Sequence, residues 1–272
     1  MAVTLEIRDG AQYWWLSPDV WVVPGSDPTG SPGQPTAGEP AYLWARVHNT
    51  GDTPVSNATV RFYWGNPAVG VDRSTATLVG TAFVTLAADQ SNEVLCLTPW
   101  IPTFVNEGHE CVLAEAFHAS LDPLPATQAF DVPNDRHVAQ RNLSVLNGAE
   151  NMASLAFEIH NPGRADLAFT VRATPGDLRE LRQLTDTLGV GNEHLHPGQV
   201  QILGFARGVC PTDADEEFRN GEARIEVRGG GKVGLTLLAR VRDGVGLVHV
   251  VQSTSEREVG GLTALLLSRE VQ

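Results

Sequence analysis

The residues able to carry chemistry in this chain are histidines, cysteines and clustered acids, and their spacing limits what each can do. His109 and Cys111 lie two apart and would share one face of a strand, while His118 falls on the opposite face. A zinc site needs about four nitrogen or sulfur ligands converging on one point; at most two converge here, which reads as a structural cysteine with surface histidines. His194 and His196 form a His-x-His pair ahead of Pro197 with no third ligand near by. Asp213, Asp215, Glu216 and Glu217 crowd one turn, but the carboxylate order and central glycine of a calcium loop are missing, so a solvated turn is expected. No metal and no other cofactor is expected.

Gly229-Gly230-Gly231-Lys232 has the look of a phosphate loop, yet no Ser or Thr follows the lysine and no strand-loop-helix context surrounds it. A flexible hairpin between Glu226 and Leu235 is expected instead. No Gly-x-Ser-x-Gly elbow exists, Cys111 sits in an apolar run that would bury it, and nothing orders a serine, histidine and aspartate into a triad. The expectation is therefore of a chain that is not an enzyme.

The aromatic residues are distributed unevenly: all six tryptophans and all three tyrosines lie at or before Trp100. Tyr13, Trp14 and Trp15 fall in the first organised stretch, residues 3–23, where neighbouring residues of a strand point to opposite faces, so Trp14 and Trp15 cannot enter one core together. Tyr13, Trp14 and Trp15 are thus the expected partner-binding residues, as anchors for a protein or as a planar platform for a glycan. The alternative is that the N-terminal strand packs across the chain and buries both tryptophans.

The elements that must position these residues are strands. Residues 24–40 carry five prolines and four glycines and read as a long exposed loop. After it, Leu43, Ala45 and Val47 alternate with Tyr42, Trp44, Arg46 and His48, the small aliphatic row facing the core. Further strands are expected at 58–64, 78–86, 93–97, 110–118 and 137–146, then at 153–160, 167–173, 199–205, 223–227, 233–241, 247–252 and 261–267. Leucines at 178, 181, 184 and 188 point to a short helix within 177–188.

The halves echo each other. His48-Asn49-Thr50-Gly51 is matched by His160-Asn161-Pro162-Gly163, Thr59-Val60-Arg61 by Thr170-Val171-Arg172, and Arg136-x-Val138-Ala139 by Arg257-x-Val259-Gly260, at offsets of 112, 111 and 121 residues. The fold class expected is all-β, a tandem of two immunoglobulin-like antiparallel β-sandwiches, with domains at 1–146 and 147–272.

A formal charge of −13 sets up a field that repels phosphate backbones and anionic lipid, which argues against nucleic acid and membrane surfaces as partners. No apolar run reaches the roughly 20 residues of a membrane span, and residues 1–12 lack the basic and apolar regions of a signal peptide, so synthesis in the cytosol is expected. Three cysteines (Cys96, Cys111, Cys210) make no disulfide framework. Eighteen of the nineteen cations are arginine, the bias of a GC-rich bacterial genome.

Ser17-Pro18-Asp19-Val20-Trp21-Val22, then residues 42–51 and Val60-Arg61-Phe62-Tyr63-Trp64, followed by Val94 to Trp100, residues 109–114 and 134–145, resemble the bacterial CARDB type of immunoglobulin-like domain over about 17–146. The resemblance implies a seven-stranded sandwich with cell-adhesion-related or accessory associations, and it transfers no catalytic residue. The second half is only generically similar. Together these readings imply a binding and scaffolding protein, a structural or adaptor component of a larger bacterial assembly such as a phage-tail-like particle, with a protein partner or self-assembly. The alternative is an adhesion or carbohydrate-binding module of an exported system, with a glycan as its partner.

Overall fold

Alternation of small aliphatic and polar residues makes strand β3 (Ala41–Asn49) the organising strand of the first half. Leu43, Ala45 and Val47 have no exposed surface, and Tyr42, Trp44, Arg46 and His48 lie on the other, half-buried face, as the sequence implies. The computed structural model describes residues 2–10, 12–65, 73–103, 111–127, 129–147, 152–161, 163–180, 196–207 and 213–268. Among them the chain is all-β. The only helical pieces are single 3-10 turns at 178–180 and Glu216–Phe218, the first lying where a helix is expected; residues 181–188 of that expected helix lie outside the described residues. No helix among the described residues is long and apolar enough to cross a membrane.

Contacts divide the chain into two units, the first ending at Asn142 and the second taking up at Leu143. In the first, β3 pairs with β1 (Leu5–Glu6), β2 (Val20–Pro24) and β6 (Gln90–Leu95), all antiparallel. The facing sheet has the order β5-β4-β7-β8, built from β4 (Val55–Gly65), β5 (Thr77–Leu86), β7 (Cys111–Phe117) and β8 (Val138–Arg141). Leu5, Leu43, Val47, Val60, Phe62, Val94 and Ala114 belong to the core that the two sheets share. The Pro/Gly-rich segment 24–40 connects β2 to β3 and is pinned along its course: Gly33 N donates to Val22 O (3.0 Å) and Trp44 Nε1 to Pro28 O (3.0 Å).

The second unit has one sheet of order β10-β14-β12 and another of order β13-β11-β15-β16-β9. Its strands are β9 (Leu143–Asn147), β10 (Met152–His160), β11 (Leu167–Gly176), β12 (Gln199–Arg207), β13 (Glu222–Val227), β14 (Lys232–Arg242), β15 (Val245–Ser253) and β16 (Glu258–Leu267). Its core is aliphatic with phenylalanines, including Leu155, Phe157, Phe169, Phe205, Val241 and Leu262. One pair departs from the antiparallel expectation, because β9 runs parallel to β16. The strand expected at 137–146 is in fact two, β8 and β9, in different units. The break falls at Asn142, a buried residue whose backbone N donates to Trp15 O (2.9 Å). No glycine or proline marks it, so local sequence carries no signal there.

The repeat seen in sequence extends to atoms. Asn49 Nδ2 donates to Thr53 O (2.8 Å) and Ala87 O (3.0 Å), and its Oδ1 accepts from Gly51 N (3.2 Å). Asn161 does the same with Ala165 O (2.8 Å), Val227 O (2.9 Å) and Gly163 N (3.0 Å). The pairing order β5-β4-β7-β8 matches β13-β11-β15-β16, and β3-β6 matches β10-β14, so β12 and its flanks are the insertion in the second unit. The matched asparagines tie the end of the first sheet's strand to the start of the second's. Because each leaves buried carbonyls unpaired when truncated, Asn49→Ala and Asn161→Ala should each cost about 2 kcal/mol. All six tryptophans lie in the first unit, so only Asn49→Ala should shift the unfolding transition followed by tryptophan emission, while Asn161→Ala should shift the transition seen by circular dichroism. Loss of under about 0.5 kcal/mol in both would contradict the assignment.

Candidate partner-binding site

Tyr13, Trp14 and Trp15 sit in a turn, which replaces the strand expected there and changes where the rings go. The turn closes because Leu16 N donates to Tyr13 O (2.8 Å) and because Gly10 lets the chain pass closely: a Cβ there would lie 2.1 Å from Tyr13 O. Its ends are stapled together. Asp19, with no exposed surface, accepts from Arg8 N (3.1 Å), Arg8 Nε (2.7 Å) and His48 Nε2 (2.7 Å), and Ser17 Oγ donates to Arg8 O (2.6 Å). Burial pushes the Asp19 carboxyl up, but the hydrogen bonds from Arg8 and His48 outweigh it and bring the pKa down to about 2. On its far side the turn is sewn to β8, with Ser17 N donating to Gln140 O (2.9 Å) and Leu16 bridging Arg141. The Arg141 guanidinium donates to Val20 O (3.0 Å), and burial pushes it down to about 10, still charged at neutral pH.

In this turn Trp15 is 1% exposed and belongs to the core, contrary to its expected role as a surface anchor. The opposite-face argument fails because a turn, unlike a strand, lets neighbours turn the same way. Trp14 meets Trp15 edge-on (5.4 Å, 83°), and Tyr13 lies against Trp15 at 5.3 Å. Trp14 is half-buried on a second apolar cluster of Tyr63, Cys111, Leu113, Phe130, Val132 and Val138, outside the main core. The half-buried Tyr13 and Trp14 therefore form an aromatic rim on buried Trp15.

The floor of that rim depends on Glu115, which is fully buried in β7. Tyr63 Oη donates to it at 2.7 Å, Arg73 clamps it through Nε (2.8 Å) and Nη2 (2.6 Å), and Arg61 adds a third donor at 3.3 Å. Arg73 also donates to Thr127 O (2.8 Å) and lies over the Phe130 ring at 4.7 Å, fastening the 127–132 segment onto the sheet. Burial, and then the Glu115 carboxylate, push the Tyr63 hydroxyl up to about 12, so it stays a donor. The sequence reading missed this hub. The signal available was a lone Glu in the otherwise apolar run Cys111-Val112-Leu113-Ala114-Glu115-Ala116.

The other candidates resolve separately. Cys111 is buried and its thiol is pushed well up by burial; Cys96 is also buried and raised for the same reason, and Cys210 lies outside the described residues. His118 Nδ1 accepts from Leu121 N (3.1 Å) within a turn, His196 is exposed, and His109 and His194 lie outside the described residues. Asp213 pairs with Arg219 (3.3 Å), while Arg207 holds Asp215 and Glu217. Among the described residues no group of three His, Cys, Asp or Glu converges to hold a metal. Residues 229–232 are not a hairpin: β13 and β14 belong to different sheets, and the glycines make the crossing, with Gly230 N donating to Asn161 O (2.8 Å).

One trio does line up as hydroxyl, imidazole and carboxylate. His249 Nδ1 meets Thr263 Oγ1 at 2.9 Å and its Nε2 meets Glu180 Oε2 at 2.7 Å. Thr263 and His249 have no exposed surface, and a Cβ on Gly176 would lie 2.3 Å from Nε2, so no substrate could reach the hydroxyl. Burial pushes the His249 pKa down, more than Glu180 raises it. Large exposed apolar residues among the described ones lie elsewhere, including Phe83 (66%) and Leu78 (51%) on β5 and Leu97 (78%) and Ile101 (56%) after β6.

No family model matches this chain, and no curated protein matches it. Among solved structures, a CARDB domain from Pyrococcus furiosus in complex with di-metal ions is 19% identical over 45% of this chain and 88% of that one, with a TM-score of 0.28. The cupredoxin domain of AmoB from Nitrosocaldus yellowstonii is 9% identical over 43% of this chain, which spans 56% of that domain, at a TM-score of 0.26. Red sea bream transglutaminase is 14% identical over 88% of this chain and 30% of its own, at 0.24.

Two outcomes are expected. Trp15→Ala should cost about 3 to 5 kcal/mol of stability, as truncation of a large buried aromatic does, whereas Tyr13→Ala should cost under about 1. The Asp19 pKa is lowered on folding, so its contribution of about 2 kcal/mol is complete above about pH 4 and is lost as pH falls toward about 2. Acid titration of stability should therefore show a shallower acid limb in Asp19→Asn than in the wild type; parallel limbs would refute the staple.

Proposed function

We propose that this chain is a non-enzymatic binding and scaffolding protein, a component of a larger bacterial assembly of the phage-tail-like kind, and that the Tyr13–Trp14 rim seats a protein partner. The observation that carries this reading is the packing beneath the rim. Tyr13 and Trp14 both lie against buried Trp15, and Trp14 also packs on the cluster of Tyr63 and Phe130, which Glu115 and Arg73 hold in place, so less side-chain freedom remains to be lost on binding. The groups with chemical capacity support it as well: Glu115, Asp19 and His249 are each engaged in holding the fold.

A second reading, as an adhesion or glycan-binding module, draws on the outer face of β3, where Trp44 stacks with Trp21 (5.9 Å, 10°) beside half-buried Tyr42. Sedimentation of lysate from the native organism, followed with an antibody to the chain, separates the readings. On the assembly reading the chain travels with a high-mass fraction, and Trp14→Ala releases it at least tenfold while its melting temperature stays within a few degrees of wild type. A chain that sediments free, or a Trp14→Ala variant that folds and stays in the particle, would overturn the rim's role. Loss of glycan-array binding in Trp44→Ala with no particle association would favour the second reading.

A further inference from the structure

Strand β5 is the terminal strand of its sheet, and among the described residues it pairs only with β4. Its other edge carries backbone donors and acceptors along ten residues, Thr-Leu-Val-Gly-Thr-Ala-Phe-Val-Thr-Leu, without one charge or proline. Edge strands are ordinarily guarded by such residues, because an open ladder recruits further strands. The second unit supplies the comparison within the same chain. Its topological counterpart β13 is also terminal, and it exposes Glu222, Arg224 and Glu226. One edge of the repeat is guarded and the other is open.

The open edge is also self-complementary. Reversed about Thr81, the regular part of β5 sets Gly80 opposite Ala82, with Thr81 facing itself, and Val79 falls opposite Phe83. Antiparallel pairing of two copies about a two-fold axis through Thr81 therefore sets a hydroxyl against a hydroxyl at the axis and apolar against apolar on either side of it, from Val79 to Phe83. Gly80 to Val84 stay in unbroken register with Phe62 to Ala58, so the centre of the edge is regular, and the bulge at Val79 sets two apolar residues of one copy, Leu78 and Val79, against Phe83 of the other. Phe83 and Leu78 are exposed by 66% and 51% in the single chain. The formal charge of −13 opposes self-association in general, but the neutral strand brings no like charges together along this seam.

The geometry points to a homodimer in which β5 of one copy pairs antiparallel with β5 of a second, joining two four-stranded sheets into one continuous sheet. This interface is separate from the Tyr13–Trp14 rim and does not rest on the assembly reading.

Sedimentation equilibrium of the full chain should show a concentration-dependent dimer. Thr81→Lys and Thr81→Glu each put like charges across the axis from the same exposed position, and each should raise the dimer dissociation constant about tenfold or more. An equimolar mixture of the two variants should restore dimer, because the charges across the axis are then opposite. Ser91→Lys on the exposed part of β6 should leave the dimer unchanged. In addition, Thr81→Cys should cross-link to itself under mild oxidation, since facing residues of an antiparallel pair lie within disulfide reach. A wild type that is monomeric up to its solubility limit, variants at Thr81 that dimerise like wild type, or a mixture that stays monomeric would each overturn the proposal. A Trp14→Ala protein that leaves the particle but still dimerises through β5 tells a failure of the rim apart from a failure of this interface.

Discussion

A carboxylate buried in the second layer of the first unit sets the terms for much of what surrounds it. Glu115 has lost all contact with water, a cost of several kcal/mol for an unpaired charge, and the fold offsets it by bringing three donors from two parts of the chain. Arg61 comes from the neighbouring strand, Tyr63 from two residues further along it, and Arg73 from the connection to β5. Arg73 in turn donates to the carbonyls of Thr127 and Ala129, which ties both to the sheet. The apolar cluster under Trp14 exists because this clamp closes it.

The same constraint is met differently in the second unit. There the outer face of β15 and β16 is also buried, and the polar group on it is His249, held between Thr263 and Glu180. Both units are thus sandwiches with strands covered on both faces, β7 and β15, which read in sequence as nearly continuous apolar runs. A polar residue in such a strand has to bring its own partners. In both units it does so by recruiting a connecting segment, which the ionisable groups fasten to the sheet.

Binding surfaces on such a molecule must come from what the fastenings leave over. The aromatic rim rests on Trp15 and on the apolar cluster beside the clamp, and the open edge of β5 is available because nothing in its own sequence closes it. These differ in chemistry: the first offers ring faces and a phenol, the second offers a backbone ladder with two exposed apolar side chains.

The sequence by itself determined the strands with clear alternation, β3 above all, the all-β class, and the repeat anchored on Asn49 and Asn161, because each of these follows from periodicity or from a turn whose residues bond to their own backbone. Tertiary structure alone decided that Trp14 and Trp15 turn the same way, since their turn is held by Asp19, Gln140 and Asn142, residues up to 127 positions distant from Trp15. It decided likewise that 229–232 crosses between sheets and that β8 ends where β9 begins, for which of two sheets a strand joins is settled by burial against partners far away in the chain. Glu115 belongs with these. A lone carboxylate in an apolar run announces a demand for partners, and only the folded chain can say which residues answer it.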